Sequence, residues 1–256
     1  MKLHALHCGG EAADISVFDV FHPDLGTKVT IPWFAYLIEH PSGNVLFDNG
    51  SHPGLMHDPE KRLGPAAEAF HVLMKEGDDV VSQLATIGIS PSDVDHVALS
   101  HLHYDHAGGT EFFPDATFYI QERELQFAYW PPVYQRAIYV RADFDHDVAW
   151  KELEGEYDVF GDGKVVLFPT PGHTAGHQSM LVRLPGQSVI LVADAAYLPR
   201  NMEEKVLPAV VWSPDAMVSS WRIIEDLQRR ENAELIFTHD LDYQTKTKIA
   251  PDAYYE

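Results

Sequence analysis

The alternation of apolar and polar residues along the chain predicts a protein of mixed strands and helices. Residues 29–38 and 44–48 are rich in strand-forming side chains and flank Pro41-Ser42-Gly43, which predicts a strand pair joined by a tight turn. Continuous apolar runs, typical of strands buried on both faces, occur at 165–168 and 188–194. Shorter strands are predicted at residues 95–100, 117–121 and 234–238.

Three segments have the periodicity of amphipathic helices. One begins at Asp78-Asp79 and ends at Gly88, and a second covers residues 122–129 and is stopped by two prolines. The third covers residues 214–230, with proline in its first turn. Its apolar residues recur every three or four positions, at Met217, Trp221, Ile224 and Leu227. Residues 54–65 are rich in turn formers and are predicted to be a loop.

The chain has no repeat, low-complexity tract or flexible linker, so residues 1–256 are expected to form a single domain. No apolar run approaches the roughly 20 residues that a membrane helix needs, and no secretory signal is visible. The single cysteine, Cys8, excludes an internal disulfide and is interpreted as a small buried apolar residue. We therefore expect a cytoplasmic protein that does not act at a membrane.

Charge narrows the range of partners. The chain has 18 Lys and Arg against 39 Asp and Glu, a formal net charge of −21. Such a surface repels phosphate backbones, which argues against a nucleic-acid partner and against a phosphodiesterase acting on RNA. The expected partner is a small molecule. The sequence leaves open whether the protein is a monomer or a homodimer.

The strongest chemical signal follows the predicted strand 95–100. Four metal-binding side chains lie within six residues: His101, His103, Asp105 and His106. Zinc favours this mixture of imidazole nitrogen and carboxylate oxygen. The two histidines of a His-x-His sequence at a strand end point the same way, and a following turn can direct the next pair at a second ion. A metal-free surface cluster of histidines is the alternative, which the specific spacing disfavours.

This motif resembles the signature of the metallo-β-lactamase superfamily, and three later segments match the remaining positions of that family. The resemblance implies a four-layer αβ/βα sandwich of the α+β class. It also implies two bound zinc ions, although iron, cobalt or manganese suit the same ligands. The implied ligands are His101, His103 and His173 for one ion, Asp105, His106 and His239 for the other, and Asp194 as the bridge.

Two further residues match supporting positions of the family. His177 is expected to pack or hydrogen-bond behind the ligands rather than to bind metal. Asp48 is expected to support a ligand, with a simple turn-forming aspartate as the alternative. Asn49 replaces the threonine that usually follows this aspartate in the family.

The region around Tyr197 points to one branch of the family. Tyr197 lies three residues after Asp194, which is similar to lactonases that cleave N-acyl homoserine lactones, and residues 31–38 and 238–240 also resemble them. Residues 139–163 look closer to γ-butyrolactone hydrolases, so hydrolysis of γ-butyrolactone or another small lactone stays open. Tyr197 as an ordinary core residue also stays open.

In that branch, a water shared by two cations becomes the nucleophile. Tyr197 stabilises the oxyanion, and Asp105 protonates the leaving alkoxide. These two residues are the predicted catalytic side chains. An acyl-chain groove is predicted from residues that, taken singly, are more often plain core: Phe18, Phe21, Trp33, Met56, Phe70 and Tyr104.

Two other functions are less consistent with the sequence. A thioester hydrolase of the glyoxalase type needs a cationic cluster near the C-terminus for a glutathione carboxylate, and the tail offers only Lys246 and Lys248. An electron-transfer module would need a flavin domain, for which the chain shows no segment.

Overall fold

Two β-sheets pack face to face in the computed structural model, which describes residues 1–256. The first sheet has the strand order β4-β1-β2-β3-β5-β6-β7 and the second the order β12-β11-β10-β9-β8. The first sheet contains β1 (Lys2–Asp14), β2 (Lys28–His40), β3 (Gly43–Phe47), β4 (His71–Val72), β5 (His96–Ala98), β6 (Thr117–Gln121) and β7 (Ala149–Leu153). The second contains β8 (Tyr157–Asp158), β9 (Val165–Pro169), β10 (Gln178–Arg183), β11 (Ser188–Leu191) and β12 (Glu234–Ile236).

Helices cover the outer faces of both sheets and make the remaining two layers of the sandwich. They are α1 (Pro59–Leu63), α2 (Val80–Thr86), α3 (Tyr104–Ala107), α4 (Glu122–Tyr129), α5 (Arg141–Phe144), α6 (Pro199–Glu203), α7 (Pro214–Glu231) and α8 (Tyr243–Lys246). The predicted four-layer α+β sandwich is confirmed. None of the helices combines the length and apolarity that crossing a membrane requires.

The largest apolar core lies between the two sheets, where Phe34 and Tyr36 of β2 share a cluster with Leu167 of β9 and Met180 of β10. Strand residues on the opposite faces pack against the helices. Alternation along β2 therefore buries both faces: Phe34 and Tyr36 lie between the sheets, whereas Ala35 belongs to the cluster on the helix side.

The amphipathic helix α7 forms as predicted. Ser213 caps its first turn by accepting a hydrogen bond from the Ala216 N–H, and Asn232 ends it in the left-handed conformation with a φ of 50°. Its buried face includes Met217, Trp221 and Ile224, which pack on the second sheet. Trp221 also donates a hydrogen bond to the Ala195 carbonyl, so α7 holds the loop after β11.

Some boundaries differ from the prediction. Residues 54–65 were expected to be a loop, but α1 begins at Pro59, where the Asp58 side chain accepts from the Lys61 N–H and nucleates a turn of helix. The long strand β1 and the strand β10 were not assigned from the sequence. The strands before the metal-binding motifs end early, at Ala98, Leu191 and Ile236, so the candidate ligands lie on loops.

Candidate metal centre

The loops that follow β5, β9, β11 and β12 meet at one edge of the sandwich. They bring together all the side chains that the sequence singled out as metal ligands, in three overlapping groups whose ligand atoms lie within 4.8 Å of one another. Both sheets supply these loops, so residues far apart in the chain become neighbours. The groups consist of His101, His103 and His173; His101, His106 and Asp194; and Asp105, His106 and His239.

The first group has the dimensions of a tetrahedral zinc site. His103 Nδ1 lies 2.9 Å from His101 Nε2 and 3.0 Å from His173 Nε2. Asp194 Oδ2 lies 3.3 Å from His173 Nε2 and 4.0 Å from His101 Nε2. Zinc bonds of about 2.1 Å at tetrahedral angles place neighbouring ligand atoms about 3.4 Å apart, and the observed distances surround that value.

The group of Asp105, His106 and His239 faces the other oxygen of Asp194. Asp194 Oδ1 lies 3.2 Å from both His106 Nε2 and His239 Nε2. Asp105 Oδ2 lies 3.4 Å from His106 Nε2 and 3.7 Å from His239 Nε2. Because Oδ2 faces one set of histidines and Oδ1 the other, the Asp194 carboxylate has the orientation of a bridge between two ions.

Asp48 orients two of the histidines from behind. His106 Nδ1 lies 2.8 Å from Asp48 Oδ2, and the Ser100 hydroxyl donates to the same oxygen while it contacts His101 Nδ1 at 2.9 Å. With both Nδ1 atoms engaged, Nε2 of each ring is free to bind metal. Asp48 has a φ of 57°, so the residue that supports the ligands also turns the chain after β3.

Backbone carbonyls orient two more rings in the same way. His173 Nδ1 lies 2.9 Å from the Val210 carbonyl and His239 Nδ1 lies 2.8 Å from the Pro32 carbonyl. Each ring therefore donates through Nδ1–H and directs its Nε2 to the centre. No sequence motif marked Val210 or Pro32 as partners, because both are distant in the chain from the histidines that they contact.

His177 lies behind the centre, as expected. Its ring forms hydrogen bonds with the surrounding protein and does not face the ligand groups. Its Nε2 accepts a hydrogen bond from the Asp194 N–H at 3.1 Å, and its Nδ1 lies 2.9 Å from the Thr170 hydroxyl. Burial lowers the pKa of His177 to about 3, so the ring is neutral and can accept. His177 thereby fixes the backbone at Asp194.

The electrostatics of the centre fit a bound cation. His106 Nε2 and Asp194 Oδ1 are buried and have no hydrogen-bond partner, which is costly unless another group satisfies them. Burial, with the neighbouring histidines, lowers the pKa of His101 and His103 well below the usual value, so these rings are neutral ligands. Burial acts to raise the pKa of Asp194, but His106 and His239 hold it well below its usual range. Neutral imidazoles and an ionised carboxylate are the forms that bind divalent metals.

A pocket opens directly over the centre, and its empty space, open solvent at the mouth included, measures about 400 Å³. The centre forms its floor through His103, Asp105, His173, Asp194 and His239. No lysine or arginine lines it. Its walls are mostly apolar and consist of Val17, Phe18, Ile31, Phe70, Tyr104, Ile138, Tyr197 and Val210, with the carboxyl group of Glu11 among them.

Half of the residues predicted to form an acyl-chain groove lie at the pocket. Phe18, Phe70 and Tyr104 line it, whereas Phe21 is 90% exposed and does not. Trp33 and Met56 do not line it either, and pack in the apolar cluster that contains Tyr104. Sequence reasoning did not place five of the lining residues in the pocket, although one of them begins the lactonase-like segment 31–38: Glu11, Val17, Ile31, Ile138 and Val210.

Tyr197 lies on the pocket wall beside the rings of His173 and His239. Its ring contacts Phe18 edge-on at 5.7 Å and lies 5.3 Å from the ring of His239. Its hydroxyl is 3.3 Å from His173 Nδ1, but that nitrogen already faces the closer Val210 carbonyl. The Tyr197 hydroxyl is therefore free to donate a hydrogen bond into the pocket.

A double sheet covered by helices, with a two-part histidine and aspartate centre at one edge, defines the class of metal-dependent hydrolases with the metallo-β-lactamase fold. The family model of the metallo-beta-lactamase superfamily matches residues 33–239. The chain belongs to this superfamily.

Among curated proteins, the chain is 36% identical over 235 residues to the N-acyl homoserine lactonase AttM of Azorhizobium caulinodans, covering 90% of this chain and 89% of that protein. It is 30% identical to an N-acyl homoserine lactonase of Bacillus cereus, with 89% of this chain and 88% of that protein covered.

Solved structures of lactone hydrolases superpose on the chain. An N-acyl homoserine lactone hydrolase with the product N-hexanoyl-L-homoserine bound at its catalytic metal centre superposes with a TM-score of 0.90 at 28% identity, over 99% of this chain and 98% of that one. The dizinc quorum-quenching lactonase AidC shares the fold, with a TM-score of 0.70 at 15% identity over 93% of this chain and 87% of that one.

Proposed function

We propose that this chain is a metal-dependent lactonase that hydrolyses the ring of N-acyl homoserine lactones and so inactivates bacterial quorum signals. The observation that carries the proposal is the Asp194 carboxylate, which lies between two histidine groups at the floor of a mostly apolar pocket whose walls carry no lysine or arginine. The similarity to curated and solved lactonases supports the same substrate class.

His101, His103 and His173 would hold one ion and Asp105, His106 and His239 the other, and Asp194 lies within reach of both groups. The mixture of nitrogen and oxygen ligands favours two zinc ions, and other divalent ions of the first transition row suit the same set. When bound, such a pair of ions supplies an activated water and polarises the ester carbonyl.

The side chains around the centre supply the remaining steps. The Tyr197 hydroxyl donates to the oxygen of the former carbonyl as negative charge develops there. Asp105, whose carboxylate lies beside His106 and His239, takes the proton that the attacking water releases and delivers it to the leaving alkoxide of the opened ring. The alkoxide stays tethered to the product because the scissile bond belongs to a ring.

The charge of the pocket argues against a glutathione thioester as substrate. Its carboxylates would need cations, and the pocket walls carry none. Lys246 is occupied elsewhere, since its amine lies 3.1 Å from Asp240 and 3.0 Å from Asp242. A neutral lactone with an apolar tail matches these walls better.

A substrate panel tests the proposal. Protein loaded with zinc is assayed by proton release with N-butanoyl, N-hexanoyl and N-decanoyl homoserine lactones, γ-butyrolactone, S-lactoylglutathione and a β-lactam, with the Asp194→Ala variant as control. Each buried methylene contributes about 0.8 kcal/mol, so kcat/KM should rise about fourfold per methylene that enters the apolar walls. A response that is flat with chain length would favour a small-lactone hydrolase. Activity only with the thioester or the β-lactam would overturn the lactonase assignment.

A further inference from the structure

One buried carboxyl group in the pocket has no part in the mechanism above. Glu11 is only 5% exposed and lies on the pocket wall. Its Oε2 accepts a hydrogen bond from the Tyr104 hydroxyl, and no group of the protein donates to its Oε1. No lysine or arginine pairs with it. A buried carboxyl group with a free oxygen is costly, so its position next to the metal centre calls for a ligand that satisfies it.

An irregularity in β1 places Glu11 on this face of the sheet. His7 pairs with Phe34, but Gly10 pairs with Pro32, so β1 contains one more residue than β2 between these pairs. Such a bulge reverses which residues point to which face. Glu11 therefore pairs with Ile31, and its side chain lies on the pocket side of the sheet. Without the bulge it would lie on the inner face, with Leu3 and Ala5.

Two glycines make the bulge possible. Gly9 has a φ of +88°, and a Cβ at Gly10 would lie 2.4 Å from the Ile31 carbonyl oxygen. The carboxyl group is then held in place by its partner: the Tyr104 ring packs edge-on against Trp33 at 5.9 Å and lies 6.3 Å from Phe70. Glu11 therefore presents a fixed acceptor to the pocket.

We propose that Glu11 determines substrate specificity by accepting a hydrogen bond from the amide N–H that joins the acyl chain to the lactone ring. The inference rests on the proposed function and specifies how the substrate is held. Glu11 lies in the same pocket as Asp105, Asp194 and His239, where a ring bound for attack carries its amide substituent onto the wall. The carboxyl group then favours amide-bearing lactones over bare rings.

The test compares two substrates that differ only in the proposed donor. N-hexanoyl homoserine lactone carries the N–H, and its ester analogue, α-hexanoyloxy-γ-butyrolactone, has oxygen in that place. The ratio of their kcat/KM values is measured for the wild type and for Glu11→Leu and Glu11→Gln. Because the acceptor is a carboxyl group, the wild type should prefer the amide by at least about tenfold. Glu11→Leu should bring the ratio close to one, chiefly through loss on the amide substrate. Glu11→Gln keeps only one oxygen to accept from both the Tyr104 hydroxyl and the substrate N–H. Its ratio should therefore lie between those of the wild type and Glu11→Leu.

Controls separate recognition from structure. Glu39→Gln, a partly exposed carboxylate at the far end of the same strand pair, should leave the ratio unchanged, and Glu11→Leu should retain the metal content of the wild type. An unchanged ratio in both Glu11 variants, or an equal loss on both substrates, would overturn the inference alone. If Glu11→Leu does not fold, the near-isosteric Glu11→Gln decides by the same ratio. Failure of the wild type to open either lactone would overturn the proposed function, and this inference with it.

Discussion

At the scale of single residues, Tyr197 is a side chain whose role depends on one atom. Its ring is buried at 4% exposure and packs like a core residue, whereas its hydroxyl faces the pocket beside His173. Burial, with the negative charge of Asp194, raises the pKa of the Tyr197 hydroxyl well above its ordinary value, so it remains a donor. A substitution that removes only the hydroxyl oxygen of Tyr197 therefore tests its chemical role and leaves the packing of its ring in place.

We predict that Tyr197→Phe keeps the fold and the metal content but lowers kcat on N-hexanoyl homoserine lactone. Removal of one oxyanion donor typically costs on the order of 10²-fold, and the loss is smaller where metal ions carry most of the developing charge. Steady-state kinetics with elemental analysis of the same preparation measure both quantities. Tyr134→Phe, at an exposed position, serves as the matched control. Unchanged kinetics on all active lactones would reduce Tyr197 to a packing residue.

At the scale of elements, the first turn of α4 joins two loops of the metal centre. The Glu124 carboxylate is fully buried and accepts four hydrogen bonds. Oε1 accepts from the Leu102 N–H at 3.2 Å and the Tyr139 hydroxyl at 2.8 Å. Oε2 accepts from the Thr174 hydroxyl at 2.6 Å and the Gly176 N–H at 3.1 Å. The loop of His101 and His103 and the loop of His173 are thus fixed to one side chain.

We predict that Glu124→Gln destabilises the protein and weakens metal binding. An amide NH₂ in place of one oxygen would face donors, and each buried donor left unsatisfied costs about 1–3 kcal/mol. For a chain of this size the melting temperature should fall by roughly 2–4 °C per kcal/mol. Calorimetry and a zinc titration measure the two effects, and Glu122→Gln, at a less buried position of the same helix, is the control. Melting and zinc affinity equal to those of the wild type would show that the four bonds do not hold the loops.

At the scale of the whole molecule, the metal centre connects the two halves of the sandwich. His101 to His106 follow β5 of the first sheet, whereas His173, Asp194 and His239 follow strands of the second. Ions held by both sets would act as cross-links between the sheets. Because a ligand that binds only the folded state stabilises it, the free energy of metal binding adds to the free energy of unfolding.

We predict that removal of metal by a chelator lowers the melting temperature and that zinc restores it. Free zinc at about 100 times its dissociation constant adds about 2.7 kcal/mol, which corresponds to roughly 5–10 °C for a chain of this length. Elemental analysis should find about two ions per chain in the wild type. Asp194→Asn should bind fewer ions and respond less to zinc in the same melting experiment. Protein purified without chelators that contains no metal would contradict the assigned ligands.

The sequence by itself determined the features that depend on short stretches of chain. The spacing of His101, His103, Asp105 and His106 after an apolar run is a local pattern, and it indicated a metal site without any knowledge of the fold. The periodicity of α7 and its capping residues are local as well, since helical neighbours are three or four positions apart. The family resemblance then supplied His173, Asp194, His239 and the sandwich architecture.

The tertiary structure decided which residues meet across long separations. The carbonyls of Pro32 and Val210 contact Nδ1 of His239 and His173 and so leave Nε2 of each ring to face the centre. Each carbonyl is distant in sequence from the histidine that it orients. The bulge in β1 turned Glu11 towards the pocket, against the alternation that its strand would otherwise follow. Sequence patterns report the neighbours that a residue has along its own helix or strand. Contacts between strands depend on register and packing, which form only when the whole chain folds.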